Sequence, residues 1–296
     1  MDLRELEYFV AIAKCGNLTH AAHQLYVSQP TLSKFLQNLE RDLGLTLFRR
    51  GGRRLDLTYA GQRYYFYAER LLSQKREMDA EMTDILRADR GVLYVGMPSF
   101  RCSYSLPQVL PVFHKAFPQV QFHLVEAPSA SLDQKLLAGE IDLAFYMSFE
   151  RMRGLQYQLL HEDTMYALLA TGHPLEEKAK AAGVFQLTWL EGQPLLLQSR
   201  VQRQGQYILQ ELERLHIQPA EILESSNIRA SAALAASGYG IGFLSGELLR
   251  HLELNVPFGA YPLQDCALRI ESVAAWRAGD YLPRYAQEFI RLMEQV

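Results

Sequence analysis

The sequence predicts a multidomain α/β protein with an N-terminal winged helix–turn–helix, a long linker helix and a C-terminal two-lobed α/β domain. Three observations lead to this prediction. Residues 17–54 combine two short helical patterns with an arginine-rich ribbon. Residues 58–87 form one uninterrupted helical pattern, and residues 91–296 twice alternate strand-like apolar runs with helical stretches. A chain of 296 residues is also long for one core, so two or three domains are expected.

The pattern of residues 18–43 is typical of a helix–turn–helix. A first helix is predicted from about residue 18 to 25, with Thr19 as its cap, and Ser28 caps a second helix that has Pro30 in its first turn. The second helix has one apolar face, formed by Leu32, Leu36, Leu39 and Leu43. Its opposite face carries polar and cationic side chains, namely Gln29, Thr31, Ser33, Lys34, Gln37, Asn38 and Arg41. Such a face suits a helix lying in the major groove of DNA.

A short ribbon rich in arginine follows Gly44, which ends the second helix. Its four cations surround a pair of glycines, as a wing that contacts phosphates requires. The alternative is a small helical unit whose arginines only keep it soluble, but the polar helix face together with this ribbon favours DNA binding. The residues predicted to bind DNA are Thr19, Ser28, Gln29, Pro30, Thr31, Ser33, Lys34, Asn38, Arg49, Arg50, Arg53 and Arg54.

The distribution of charge agrees with a DNA-binding head on a larger acidic body. The whole chain has a net charge of only −3. Residues 28–60 carry six basic and three acidic side chains, whereas residues 91–296 carry sixteen basic and twenty-one acidic ones. DNA binding is therefore expected to be confined to the N-terminal part.

Several other classes of protein are not supported by the sequence. The three cysteines have no CxxC spacing, the N-terminus has no signal peptide pattern, and no apolar run is long enough to span a membrane, so a cytosolic protein is predicted. No phosphate-binding loop, nucleophile elbow or HExxH motif occurs, so no catalytic activity and no cofactor are expected. His20 and His23 share a helix face without further ligands, so no metal site is predicted. Cys102 has no evident resolving partner for a redox role.

The helical pattern of residues 58–87 predicts a dimerisation helix. Its apolar positions alternate by four and three, broken only by a lysine: Tyr64, Ala68, Leu71, Lys75, Met78, Met82 and Ile85. No neighbouring segment of the chain is evident to cover this face, so pairing with a second copy is the preferred interpretation. Packing on the C-terminal domain of the same chain is the alternative. A dimer would place two heads on paired half-sites of DNA.

The C-terminal region is predicted to form parallel sheets with helices on both faces, in two lobes with a ligand cleft between them. Its last strand and helix are expected to return to the first lobe. Ligands bind beyond the carboxyl ends of such strands, and the candidates there are Ser99, Phe100, Arg101, Ser129, Tyr146, Ser199, Arg200, Arg203 and Asn227. The three arginines favour an organic anion as ligand, although each alone is typical of a solvated surface.

Many residues of the head match one family: Leu6, Phe9, Val10, Thr19, Ala21, Ala22, Leu25, Ser28, Gln29, Pro30, Leu32, Ser33, Leu39, Glu40, Leu43, Gly44, Leu47, Phe48, Arg49, Thr58, Gly61 and Ala68. With the order of domains, they make the whole chain resemble the LysR-type transcriptional regulators. Phe35 departs from this pattern, because the family more often has glutamine there, and one contact to DNA is expected to differ. Ser99 and Ser129 are also positions that the resemblance picks out.

The resemblance implies a regulator that binds promoter DNA as a homodimer or homotetramer and changes its contact with RNA polymerase. It also implies a small-molecule effector between lobes that resemble those of periplasmic binding proteins. The expected domains are residues 1–58, 59–90 and 91–296, with a first lobe of about 91–162 plus 268–296 and a second of about 163–267. The rival is an α/β binding protein or enzyme whose helical N-terminus serves only oligomerisation.

Overall fold

The fold was analysed in a computed structural model, which describes residues 2–51, 54–86, 89–267 and 269–296. The chain divides into two compact units, which join near residue 91. The elements of the N-terminal unit are α1 (Leu3–Cys15), α2 (Leu18–Gln24), α3 (Gln29–Leu43), β1 (Phe48–Gly51), β2 (Arg54–Leu57) and α4 (Tyr59–Ile85). Strands β1 and β2 form an antiparallel hairpin, so the winged helix–turn–helix expected from the sequence is present.

Local hydrogen bonds explain where the short helices begin and end. The Ser28 side chain accepts a hydrogen bond from the Thr31 N–H at the start of α3, and Gly44 ends that helix in the left-handed conformation, both as predicted. The prediction that Thr19 caps α2 is wrong. Asn17 is the cap, because its side-chain oxygen accepts hydrogen bonds from the N–H groups of Thr19 and His20.

The apolar core of the head lies between α1, α2, α3 and the hairpin. It contains the buried side chains Phe9, Ile12, Ala21, Ala22, Leu32, Leu36, Leu47 and Phe48. The predicted apolar face of α3 is thus buried only in its first half. Leu39 is half-buried and Leu43 is 43% exposed, since the helix extends beyond the small core at this end.

Helix α4 packs on the head through its N-terminal half, which corrects the expectation that no neighbouring segment covers it. Ala68 and Leu72 are buried against Leu6 and Val10 of α1. The C-terminal half of the predicted seam differs, because Met78, Met82 and Ile85 are 55%, 49% and 68% exposed. Leu71, at the middle of the helix, is also 39% exposed, so the uncovered part of the seam begins there and continues to Ile85.

The C-terminal unit contains two sheets. The first lobe is built on a five-stranded sheet of order β4-β3-β5-β13-β6 with helices α5, α6 and α11, and the second lobe on a six-stranded sheet of order β10-β9-β11-β7-β12-β8 with helices α7 to α10. The strands are β3 (Arg90–Met97), β4 (Gln119–Glu126), β5 (Leu143–Ser148), β6 (Leu155–Asp163), β7 (Met165–Ala170), β8 (Phe185–Gln186), β9 (Pro194–Gln198), β10 (Glu221–Ser225), β11 (Ile241–Ser245), β12 (Phe258–Gln264) and β13 (Ile270–Arg277). The helices are α5 (Ser99–Ala116), α6 (Ser129–Ala138), α7 (Glu176–Ala182), α8 (Arg203–Arg214), α9 (Ile228–Ala236), α10 (Gly246–Arg250) and α11 (Arg284–Met293).

The prediction of parallel sheets is only partly right, because both sheets are mixed. Strand β13 is antiparallel to β5 and β6, and β7 is antiparallel to β11 and β12. The antiparallel strands are those at which the chain passes from one lobe to the other and back. As expected from the sequence, β13 and α11 return to the first lobe.

Alternating side chains explain why the six-stranded sheet carries helices on both faces. Ala167 and Leu169 point to one face, where they pack with Tyr207 and Ile208 of α8. Leu168 points to the other face and packs with residues of α9. A strand that is buried on both faces has a continuous run of apolar residues in its sequence, as β7 and β9 do.

Candidate functional site

The polar face of α3 is available for contact with a ligand. Gln29, Thr31 and Lys34 are exposed, and Ser33 and Asn38 are half-buried. The Ser28 hydroxyl is engaged at the start of the helix, where its Oγ lies 2.7 Å from Oγ1 of Thr31. Ser28 and Thr31 thus hold the first turn together, while Gln29 and Lys34 remain exposed.

The hairpin that follows this helix carries exposed arginines. In the register of the hairpin Arg49 pairs with Asp56, and Arg49 and Arg54 are exposed. Arg53 and the side chain of Arg50 lie outside the described residues. The sequence had not indicated a role for Glu40, whose Oε1 accepts hydrogen bonds from the N–H groups of Leu47 (2.6 Å) and Phe48 (3.1 Å). This carboxylate fixes the start of the wing to the recognition helix.

The C-terminal unit contains a cavity of about 590 Å³ between its two lobes. Seven of the nine candidate residues line it: Ser99, Phe100, Arg101, Ser129, Tyr146, Arg203 and Asn227. Ser199 and Arg200 are not among the lining residues. Arg200 is exposed, and its Nε donates to Oε1 of Glu224 at 2.8 Å. The carboxyl ends of the strands thus meet at one cavity, of a size typical for small-molecule sites.

Four helices begin at the wall of this cavity. The lining includes the first residues of α5, α6, α8 and α9, which are Ser99, Ser129, Arg203 and Ile228. Unpaired N–H groups and the aligned peptide dipoles give the N-terminal end of a helix a partial positive charge. Their convergence favours an anionic ligand.

A buried ion pair joins the lobes at one side of the cavity. Arg101 of α5 lies 3.2 Å from the carboxylate of Glu247 in the second lobe, and its Nη1 donates to the Ser272 hydroxyl at 2.8 Å. Tyr104 donates its hydroxyl proton to the same carboxylate, and His161 lies 3.3 Å from it. Burial alone would raise the pKa of Glu247, but Arg101 and these neighbours lower it to about 2.

A second ion pair also joins the lobes, and here the cation comes from the second lobe and the carboxylate from the first. Arg203 of α8 pairs with Asp133 of α6, and both side chains are almost fully buried. Tyr146 donates to the other oxygen of Asp133, and Nη1 of Arg203 donates to Glu150 at 2.9 Å. Burial raises the pKa of Asp133, against the opposing effects of Tyr146 and Arg203.

These ion pairs change the interpretation of the candidate arginines. Arg101 and Arg203 line the cavity but already have carboxylate partners, and Arg200 is outside it. Sequence reasoning missed Glu247, although Ser245 closes a buried apolar run and could have marked a further strand end. It also missed Asp133, because nothing local distinguishes a buried acid on a helix from a solvated one.

Other candidate chemistries receive little support from the structure. Burial raises the pKa of the Cys102 thiol to about 12, so it stays protonated at neutral pH. Within the described residues no group of His, Cys, Asp and Glu is arranged to hold a metal ion. No helix in the same part of the chain has the length and apolarity needed to cross a membrane.

Comparisons with known proteins match both parts of the chain to one family. Residues 3–62 match the model of the bacterial regulatory helix-turn-helix proteins of the lysR family, and residues 87–296 match the LysR substrate binding domain. The HTH-type transcriptional regulator BudR of Raoultella terrigena is 31% identical over 94% of this chain and 95% of its own length. The Hca operon transcriptional activator HcaR of Escherichia coli (strain K12) is 27% identical, covering 100% of this chain and 98% of its own.

Solved structures show the same fold over the whole chain. A full-length OxyR variant from Pseudomonas aeruginosa aligns with a TM-score of 0.73 at 25% identity, covering 100% of this chain and 94% of that one. Full-length CbnR in complex with its target DNA aligns with a TM-score of 0.63 at 23% identity, covering 100% and 99%. The two family models together cover most of the sequence and leave out mainly residues 63–86, which include most of α4. The chain belongs to the LysR family of DNA-binding transcriptional regulators.

Proposed function

We propose that this regulator binds promoter DNA through α3 and the β1–β2 hairpin and that an organic anion in the cavity between the lobes modulates this binding. The DNA-binding part of this proposal is supported by the exposed polar face of α3 together with the exposed arginines of the wing. Gln29, Thr31 and Lys34 would contact base edges, while Arg49 and Arg54 would contact phosphates. Thr19, Pro30, Ser33 and Asn38, together with Arg50 and Arg53, complete the proposed DNA-binding set.

The anionic nature of the effector rests on the helix N-termini that converge on the cavity. The wall is otherwise largely apolar, with Pro98, Phe100, Met147, Ile228 and Leu248 among its residues. A ligand with an apolar body and a negative group fits both features. It would contact both lobes and so favour one arrangement of the lobes over others.

The regulator is proposed to act in the cytoplasm as a homodimer or homotetramer, without catalytic activity. The exposed second half of α4 supports self-association, because Met78, Met82 and Ile85 form an uncovered apolar stripe. The proposed domains are the head (1–58), the linker helix (59–90) and the effector domain (91–296). Contact with RNA polymerase is a further expectation for a regulator at a promoter.

Titration of the full-length protein with duplex DNA at increasing salt tests this function. Specific binding should weaken steeply as salt rises, because cations of the wing release counterions from the phosphates. A protein whose N-terminus served only oligomerisation would show no salt-sensitive affinity for any promoter fragment. That result would contradict the proposed role of the head.

A further inference from the structure

The cavity wall carries three arginines that differ in their partners. Arg101 and Arg203 are buried and paired with carboxylates of the opposite lobe. Arg229, the second residue of α9, also lines the cavity but is exposed. Its Nη1 donates to the main-chain carbonyl of Glu253 at 3.3 Å, and no ion pair with a carboxylate occurs for it among the described residues. Arg229 is therefore the lining cation whose charge is not already neutralised.

The position of Arg229 also brings it to the apolar part of the wall. Its guanidinium carbon lies 5.6 Å from the centroid of the Phe100 ring, which belongs to the first lobe. The Phe100 side chain in turn packs against the apolar cluster of the second lobe, together with Ile228 and Leu248. A cation next to an aromatic and aliphatic surface is suited to a ligand that is charged at one end and apolar at the other.

We propose that Arg229 is the specificity-determining residue for the effector and binds its single carboxylate, while the apolar body of the effector contacts Phe100, Ile228 and Leu248. This inference rests on the proposed function, since it names the class of ligand that the same cavity takes. The start of α9 adds its dipole to the charge of Arg229. Because Arg229 and Phe100 come from different lobes, a ligand held by both is sensitive to the relative position of the lobes.

The charges of the wall favour a monoanion over a dianion. A second carboxylate inside the cavity would meet Glu126 and Glu247, which both line it. It would otherwise have to displace Glu247 from Arg101 or Asp133 from Arg203, and breaking such a buried pair leaves a charge without its partner. Arg101 and Arg203 thus connect the two lobes through their ion pairs, and Arg229 binds the anion.

Isothermal titration of the full-length protein with four defined probes tests the inference. Benzoate and hexanoate combine one carboxylate with an apolar body, benzamide is the neutral counterpart of benzoate, and succinate carries two carboxylates. The wild-type protein should bind the two monocarboxylates and bind benzamide and succinate at least tenfold more weakly. Arg229→Gln should weaken benzoate binding by about ten- to a hundredfold, which is the range of a lost charge-assisted hydrogen bond. Arg229→Lys should retain part of the affinity.

Arg200→Gln is the matched control, because Arg200 is an exposed arginine of the same lobe that does not line the cavity. It should bind benzoate as the wild type does. Equal benzoate binding by Arg229→Gln and the wild type would overturn the role of Arg229 and leave the anionic effector standing. Equal binding of benzamide and benzoate by the wild type, or no binding of either monocarboxylate, would overturn the proposed class of effector and this inference with it.

Discussion

At the scale of single residues, the most consequential group in the cavity wall is the carboxylate of Glu247. It is almost fully buried, yet it stays ionised because Arg101, His161 and Tyr104 surround it. Removing one partner of a buried pair costs far more than removing an exposed pair, since the remaining charge is left in a medium of low polarity. Glu247 is thus expected to stabilise the arrangement in which both lobes meet.

Glu247→Gln should lower the free energy of unfolding of the effector domain by about 3 kcal/mol at pH 7. The pKa of Glu247 is about 2 in the folded protein against a usual 4.5. Its stabilisation is therefore fully present above pH 4.5 and is lost as the pH falls towards 2. Urea unfolding of the wild type should show this acid-dependent loss, and the variant should lack most of it.

The matched control for this variant is Glu224→Gln, which removes the exposed partner of Arg200. An exposed pair contributes at most about 1 kcal/mol, so its unfolding midpoint should stay close to that of the wild type. Identical midpoints for Glu247→Gln and the wild type at pH 7 would show that the Arg101–Glu247 pair does not stabilise the domain.

At the scale of elements, α3 and the hairpin are the two parts of the head that are proposed to contact DNA. The exposed side chains of α3 face outward from a helix whose Leu32 and Leu36 are in the core. The hairpin is tied to the same helix by Glu40, which accepts two hydrogen bonds from its start. The proposed base-contacting and phosphate-contacting elements are therefore joined directly within the head.

Substitutions in these two elements should have different signatures. Arg49→Ala should weaken binding to all duplexes and reduce the slope of log affinity against log salt by about 1, because one phosphate contact is lost.

Gln29→Ala should leave the slope unchanged and reduce discrimination between operator and unrelated DNA, at a cost of about 1–3 kcal/mol. Fluorescence anisotropy at several salt concentrations measures both quantities.

Lys180→Ala is a suitable control for the loss of a cation, because it removes an exposed lysine from α7 of the C-terminal unit. Its affinity and salt slope should equal those of the wild type. Should Arg49→Ala give the same slope as Lys180→Ala, the wing would not contact phosphates.

The elements of the head were largely predictable because their signals are local. Ser28, Pro30 and Gly44 mark the ends of α3 within the sequence itself. The cap of α2 was assigned two residues too late, since Asn17 and Thr19 are both good capping residues and only the backbone geometry distinguishes them. Strand β12 has no clear signal in the sequence, because it contains a glycine and a proline and its side chains are mostly only half-buried.

The cavity was only partly predictable, because its key contacts join distant parts of the chain. The strand ends could be located, and seven of the nine candidates line the cavity. The partners of Arg101 and Arg203 are Glu247 and Asp133, which lie far from them in sequence. Periodicity and composition carry no information on such pairs. The sequence alone therefore does not show that Arg101 and Arg203 have carboxylate partners.

At the scale of the whole molecule, the proposed function depends on self-association through α4. The first half of this helix packs on α1, whereas the second half exposes Met78, Met82 and Ile85. An uncovered apolar stripe on a helix is typical of a surface that pairs with another copy. Pairing would bring two heads to one operator and add their binding energies.

Met82→Lys should weaken self-association by about tenfold or more, because a charge replaces apolar surface at the contact. Sedimentation velocity at several protein concentrations measures the change. Gln62→Lys adds the same charge at an exposed polar position on the opposite side of α4 and should leave the association unchanged. An unaltered monomer–dimer equilibrium in Met82→Lys would place the dimer contact elsewhere.

The central claim, that a DNA-binding head is coupled to an anion-binding cavity, is tested most directly by footprinting the full-length protein on the DNA upstream of its own gene, with and without benzoate and hexanoate. We expect protection of two half-sites about one or two helical turns apart. We also expect the carboxylates to alter the extent or the pattern of that protection. Absence of protection at low salt, there and on neighbouring promoters, or a footprint that neither carboxylate changes, would contradict it.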